Sequence, residues 1–409
     1  MSLEKRTELT TARSKPRLRD HLLNKVALRF LPDAKSGQLR VSLPSGDTII
    51  CGTSGKDPAV QVEIKRWRAL WKLAFQGDNG FAKAYEDSDI VTADLLPLFE
   101  FALRNRSVAD HSITPSKMGL LVSRLQHAWR HNSRAGSKRN IMAHYDLGNE
   151  FYRPWLDESM SYSSAIYSST GMPLEAAQMA KIKRIADLLE TQPGNTVLEI
   201  GCGWGALMQE LIQNHGCSAT GITLSHEQAA YARKRLADDA AKGKADVVLR
   251  DYRDCNGPFD RIVSIEMIEA VGEAYWPAYF STMRRCLARG GLAVVQAITI
   301  AEERFAAYQR EPDFIQQRIF PGGMLPTIEL MKKHAEAAGL KITYQELFGE
   351  SYAQTLAEWR RRFHASWPKI QALGFDPRFK RLWDYYLAYC EAGFRHGATN
   401  VGLYVLRPA

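Results

Sequence analysis

The 409-residue chain is poor in cysteine. It has six, at positions 51, 202, 217, 255, 286 and 390, and none forms a Cys-x-x-Cys pair. That scatter argues against a zinc site or a disulfide framework and fits free thiols in a reducing compartment; no metal is expected. No run approaches the ~18 apolar residues that a membrane span requires. The stretch from Met1 to Arg19 is polar and basic with no apolar core, so no secretory signal is expected. Acidic residues are outnumbered, 45 against 54 basic ones, for a formal net charge of +9. An excess of that sign suits an acidic partner, and an anionic membrane surface and nucleic acid both qualify.

What is present is organised around Val197-Leu198-Glu199-Ile200-Gly201-Cys202-Gly203-Trp204-Gly205. Residues 196–200 read as a buried parallel strand. Three glycines follow, and residues 206–212 resume with apolar residues at helical spacing. Strand, glycine turn and helix open a βαβ unit, and the glycines let a ligand approach the backbone where a Cβ would interfere. In a dinucleotide fingerprint the third glycine lies three residues after the second. Here it lies two after it, with Glu199 inside the strand end. Glu-x-Gly-x-Gly-x-Gly resembles the loop of S-adenosylmethionine (SAM) methyltransferases, in which the carboxylate holds loop amides or contacts the cationic ligand.

At this length two domains are the default. Residues 1–20 read as a basic tail. Residues 21–122 read as a small α+β domain: a helix from His21, a hairpin around Pro44-Ser45-Gly46-Asp47, a strand at 60–64, and helices on either side of a Gly77–Gly80 break. Its aromatics Trp67, Trp71, Phe75 and Phe81 suit a core or, more sharply, a lipid groove. Residues 123–143 form a basic linker with Arg124, His127, Arg130, His131, Arg134, Lys138 and Arg139. The stretch suits a solvated linker or, more sharply, a phosphate-reading patch at a membrane; nucleic acid is a further reading, though the aromatic interleaving that would favour it is sparse there. Residues 144–409 read as the catalytic domain, in which strands near 219–224, 246–252, 260–265 and 292–298 alternate with helices. That alternation gives an α/β, doubly wound, Rossmann-like sheet. Ligands bind at the carboxyl ends of such strands, which gathers Glu199, Gly201, Thr223, Tyr252, Glu269 and Gln296 around one crevice.

With these segments assembled the chain resembles the cyclopropane-fatty-acyl-phospholipid synthase family. The resemblance rests on His144-Tyr145-Asp146-Leu147-Gly148-Asn149, Val197 to Gly205, and Gly221-Ile222-Thr223-Leu224-Ser225-x-x-Gln228. It continues through Asp251-Tyr252-Arg253-Asp254, Phe259 to Ser264 and Phe320-Pro321-Gly322-Gly323-x-Leu325-Pro326. It implies methyl transfer from SAM to a cis double bond of a phospholipid acyl chain. The implied cofactor residues are Tyr162, Ser163, Glu199, Gly201, Gly203, Trp204, Gly205, Thr223, Gln228, Tyr252 and Arg253, with Thr223 and Gln228 near the ribose and Tyr252 near the adenine. The implied enzyme is cytoplasmic and peripheral on the inner face of an anionic phospholipid membrane. An unsaturated acyl chain is its substrate and nucleic acid is no partner. A homodimer and a separate reductase partner are compatible with it.

The chemistry asks for a dry pocket. An alkene attacking a sulfonium methyl leaves a carbocation on the acyl chain, which water would trap and aromatic faces stabilise. A base must then take a proton from the added methyl. The resemblance assigns that role to a bound bicarbonate, held here by Glu269, Tyr352, the backbone of Ile298, and residues at the positions of Ser164 and Gln296. Both of the last depart from the family, which has Cys and His there. Gln donates and accepts hydrogen bonds but cannot relay a proton as His does. The expected product is a cyclopropane chain, with a methyl-branched or methylene product as the alternative. A lipid-binding protein with a degenerate methyltransferase domain is the competing reading from another class.

Overall fold

The structure, a computed structural model, describes residues 7–10, 18–28, 30–31, 34–53, 59–105, 136 and 147–409. The basic linker cluster and His144-Tyr145-Asp146 lie outside these residues. The chain divides into two compact units. One comprises Met1–Gln126, Ala307–Phe314 and Phe375–His396; the other comprises His127–Ala306, Ile315–Gly374 and Gly397–Ala409. Among the described residues no helix is long and apolar enough to cross a membrane.

The first unit carries a five-stranded sheet. Its strands are β1 (Thr7–Thr10), β2 (Gln38–Ser42), β3 (Thr48–Gly52), β4 (Val60–Ile64) and β5 (Ile90–Thr92), in the order β1-β3-β2-β4-β5. The expected hairpin is present, with Leu43 N donating to Asp47 O at 2.9 Å across the turn. Alternation in β4 sends Val60, Val62 and Ile64 into the core and Gln61 and Glu63 outward. The helix Arg68–Glu86 is broken at Gly77, whose φ of 56° and ψ of −130° are non-helical. Gly80 then packs so close to the first segment that a Cβ there would lie 2.0 Å from the Lys72 carbonyl oxygen. Residues 7–10 are not tail: they pair with β3 as its antiparallel neighbour, satisfying that strand's outer edge.

A second correction concerns the domain cut at 144. The helix Pro377–Arg395 belongs to the first unit, not to the catalytic one. Its Tyr385 ring meets those of Phe81, Tyr85, Phe99 and Phe314, and Tyr85 donates its hydroxyl proton to Asp384 at 3.1 Å. Helical periodicity names a buried face without naming what covers it.

The second unit is α/β. Its strands are β6 (Thr196–Ile200), β7 (Ser218–Thr223), β8 (Ala245–Leu249), β9 (Phe259–Ile265), β10 (Leu287–Ile300), β11 (Leu340–Leu347) and β12 (Thr399–Pro408). The seven lie in the order β11-β12-β10-β9-β6-β7-β8. Strands β6 to β10 pair parallel, and β12 runs antiparallel between β10 and β11. Doubly buried parallel strands read as continuous apolar runs, and Leu292 to Ala297 is buried throughout, Gln296 included. Order reverses at β6, whose neighbours β7 and β9 open a crevice at their carboxyl ends.

Candidate active site

The crevice begins where β6 ends. Gly201 and Cys202 each donate a backbone N–H to Ile222 O at 3.0 Å, which pins the glycine loop to the end of β7. Gly203 has a φ of 50° and open space where a Cβ would stand. It lines the central cavity with Glu199, Gly201 and Trp204. Gly205 does something else. A Cβ there would meet Ala232 and Leu236 at 3.2 and 3.3 Å, so it serves helix packing and is not among the cavity residues.

At the end of β7, Thr223 donates to Gln228 Oε1 at 2.9 Å, while Ser225 caps the helix His226–Arg235 by accepting from Gln228 N. Both Thr223 and Gln228 line the cavity. Beyond β8, Asp251 and Tyr252 reach it, and the Tyr252 hydroxyl is buried without a hydrogen-bond partner among the described residues. Arg253 does not line the cavity; its guanidinium pairs with Asp251 at 2.6 Å. Tyr162 and Ser163 form the facing wall. Glu199 is buried with one carboxylate oxygen unpartnered among the described residues, and burial pushes its carboxyl up to about 8 against the opposing pull of Lys181. A loop that admits a ligand onto its backbone, an unpartnered carboxylate oxygen and an unpartnered tyrosine hydroxyl fit a cationic nucleoside cofactor.

The other end of the cavity is organised by Glu266, which the sequence reading passed over. It follows directly on β9 with a φ of 47°, a conformation that costs a non-glycine residue of order 1–3 kcal/mol and clusters at functional sites. Glu266 Oε1 accepts from the Ser164 backbone N–H at 2.8 Å and from Gln296 Nε2 at 2.7 Å. Oε2 accepts from the Tyr352 hydroxyl at 2.7 Å. Burial raises its carboxyl above the ordinary range, while these three donors and the Lys181 charge oppose the rise.

Ser164, Gln296 and Tyr352 therefore converge on a carboxylate of the chain. Glu269 sits apart from them on the short helix Ile268–Val271. It accepts from Ile298 N, so that pair meets, and its second oxygen is buried without a partner among the described residues. Burial, reinforced by the neighbouring Glu266, pushes Glu269 up to about 8. Tyr352 is bonded to Glu266 and not to Glu269. Glu266 stands directly at the carboxyl end of β9, a position that the strand-end rule could have singled out, whereas the sequence analysis takes Glu269, three residues further, at that rim.

Among the described residues Tyr162, Trp204 and Tyr252 are the aromatic side chains that line the cavity, and further rings pack behind them. Tyr152, Trp155 and Tyr162 cluster, with Trp359 against Trp155 and Tyr162, and Trp204 against Tyr152. Trp204 Nε1 donates to Asn149 Oδ1 at 2.7 Å, so the 144–149 motif braces the glycine loop through its last residue.

The family model described as mycolic acid cyclopropane synthetase matches residues 132–403. The chain belongs to this family. Among relatives in the family, the tuberculostearic acid methyltransferase UfaA1 of Mycobacterium tuberculosis is 40% identical over 282 residues, covering 67% of this chain and 66% of its own. The cyclopropane-fatty-acyl-phospholipid synthase of Escherichia coli is 38% identical over 253 residues, 62% of this chain and 63% of its own. The chain thus spans about two thirds of the length of these relatives. The cyclopropane synthase MmaA2 from Mycobacterium tuberculosis superposes with a TM-score of 0.62 at 32% identity, over 66% of this chain and 97% of that one. The mycolic acid cyclopropane synthase CmaA1, solved with SAH and CTAB, gives 0.62 at 33%, with the same coverage.

Proposed function

We propose that this chain is a SAM-dependent C-methyltransferase acting on the cis double bond of an unsaturated phospholipid acyl chain. In this reading the Glu266 carboxylate, not bicarbonate, takes the proton. The observation that carries it is the set of three hydrogen bonds to Glu266 from Ser164 N, Gln296 and Tyr352, groups otherwise expected around the bicarbonate.

SAM, when bound, supplies an electrophilic methyl on sulfur. Glu199 and the glycine loop hold that cation at one end of the cavity. Tyr162, Trp204 and Tyr252 offer aromatic faces to the cavity, and Tyr152, Trp155 and Trp359, packed behind Tyr162, keep water from that side. Glu266 lines the same cavity and is a stronger base than a solvated carboxylate, because burial has raised it. Tyr352 and Gln296 hold it in place.

A hydride shift from the carbon bearing the new methyl moves the positive charge onto that carbon, and loss of a methyl proton to Glu266 leaves a methylene branch, C=CH2, on the open chain. A reductase acting afterwards would give the saturated branch. Departures at Ser164 and Gln296, together with the carboxylate they hold, favour this outcome over ring closure. So does the likeness to a relative named for tuberculostearic acid. Ring closure is the second reading, favoured by the retained contact between Glu269 and Ile298. Methylene and cyclopropane products have equal mass. The test is therefore expression in a host without cyclopropane lipids, followed by mass spectrometry for methylated chains and NMR to separate vinylidene protons from high-field ring protons. Absence of any methylated chain would remove the reading.

The membrane half of the proposal draws on Trp71 and Phe75, which stand four residues apart on one helix and are 64% and 51% exposed. Aromatic side chains of that kind favour the headgroup region of a bilayer. The enzyme would work from the cytoplasmic face, on lipid in place.

A further inference from the structure

We propose that Lys181 is a positioning residue for the transfer, one buried ammonium serving two carboxylates, Glu199 at the cofactor end of the cavity and Glu266 at the acyl end. The inference rests on the reading above, in which both carboxylates act on the reaction.

Lys181 lies on the helix Leu174–Leu188 and is 3% exposed, a burial that lysine almost never shows unless paired. Its Nζ donates to Ser163 Oγ at 2.8 Å. One turn earlier on the same face, Gln178 Nε2 donates to Ser163 O at 2.9 Å. Together they clamp residue 163, and the next N–H in the chain is the one that Glu266 accepts. A neutral hydroxyl does not offset the desolvation of an ammonium, which needs a counter-charge in the same low-dielectric space. Burial pushes the Lys181 ammonium below its ordinary value, and the charges of Glu266, Asp157 and Glu199 oppose that fall. Asp157 is turned to backbone N–H groups of Ser159 and Ser161. Lys181, Glu199 and Glu266 all line the one cavity.

The two carboxylates face different tasks with the same requirement. Glu199 must be ionised to receive a cation, and Glu266 must be ionised to accept a proton. Burial works against both, and Lys181 opposes burial at both. The other groups around Glu266 are the Tyr352 hydroxyl, the Gln296 amide and Ser164 N–H, which also favour its ionised form, and Glu269, which repels it. Around Glu199 they are Met208 N–H and the Cys202 thiol. Lys181 is the cation common to the two sets.

The experiment reads two pH profiles on the full chain: SAM affinity by calorimetry without lipid, and kcat with unsaturated phospholipid vesicles. Lys181→Gln removes the charge. Both rising limbs should move to higher pH by about one unit or more, with activity at neutral pH down about tenfold per unit and recovering at alkaline pH. Lys181→Arg should leave both limbs in place. A uniform loss with unmoved limbs in Lys181→Gln, or equal displacement in Lys181→Arg, would overturn the proposal. If Lys181→Gln does not melt cooperatively, Ser163→Ala decides. It loses one hydroxyl and frees the ammonium, so both limbs should move the same way by less, and unmoved limbs overturn the proposal. Native protein that neither binds SAM nor methylates acyl chains would sink the underlying reading, and that result is read before any variant.

Discussion

Tyr352 donates its hydroxyl proton to Glu266 at 2.7 Å, across 86 residues of chain. The bond joins the first turn of the helix Gly349–Ala365 to the residue that follows β9. It fixes the orientation of the carboxylate whose other oxygen is held by Ser164 N and Gln296. A buried carboxylate so held is aimed, and its strained backbone is maintained by the structure around it.

If Glu266 accepts the proton, Glu266→Gln should lower kcat by about 10²-fold or more, the scale of a lost general base. SAM affinity should stay within a few-fold, because the step served comes after binding. Tyr352→Phe should cost less, since it disturbs orientation and leaves the base. In Glu266→Ala the vacated space should accept a small anion, so added bicarbonate or formate should restore part of the rate. Calorimetry and single-turnover assays decide it, and a Glu266→Gln enzyme of native rate would refute the assignment.

Gly203 stands at φ 50° over open cavity. Gly203→Val should abolish SAM binding in calorimetry, both by filling that space and by straining a left-handed backbone. Because no protein atom lies within 4 Å of the added Cβ, the fold should persist, with a cooperative melt. Native affinity in the variant would end the cofactor assignment.

Glu199 and Glu269 are each raised from the ordinary 4.5 to about 8. Between those values the folded protein binds more protons than the unfolded chain. Their contribution to stability is therefore full below about pH 4.5 and lost as pH rises through about 8. The Tm of the ligand-free protein should fall across that window. SAM, a cation, should bind more tightly as Glu199 ionises, releasing a proton on binding below pH 8. Calorimetry in buffers of different ionisation enthalpy measures that release. Proton uptake on binding would contradict the sign.

Replacing Trp71 and Phe75 by alanine should weaken binding to anionic vesicles without changing SAM affinity, because both side chains are exposed and contribute little to the core. Raising salt should weaken the native protein's vesicle binding to the extent that exposed charge contributes, since screening acts within about 8 Å at physiological ionic strength. Sedimentation with vesicles measures both. Undiminished binding in the double variant would move the docking surface elsewhere.

The sequence by itself determined what local pattern encodes. The strand, glycine loop and helix around residues 196–213, the parallel sheet and the hairpin at 38–52 follow from apolar periodicity and from backbone conformations that favour glycine. Strand-end geometry also gathered Glu199, Thr223 and Tyr252, because residues at the carboxyl ends of adjacent parallel strands must share one rim. Tertiary structure decided which carboxylate receives which donors. Glu266 and Glu269 lie three residues apart in one acidic, apolar segment, and no periodicity separates them. Only the positions of Tyr352, Gln296 and Ser164, brought in from distant elements, give Glu266 its three donors and leave Glu269 to Ile298. The same holds for Lys181, which reads as one polar position of an amphipathic helix until the fold hydrogen-bonds it to Ser163 and sets it in one cavity with Glu199 and Glu266. It holds too for the helix Pro377–Arg395, whose apolar face is written in the chain and whose partners are set by packing. Hydrogen bonds and ion pairs between distant residues depend on distances of a few ångströms that a one-dimensional pattern does not carry.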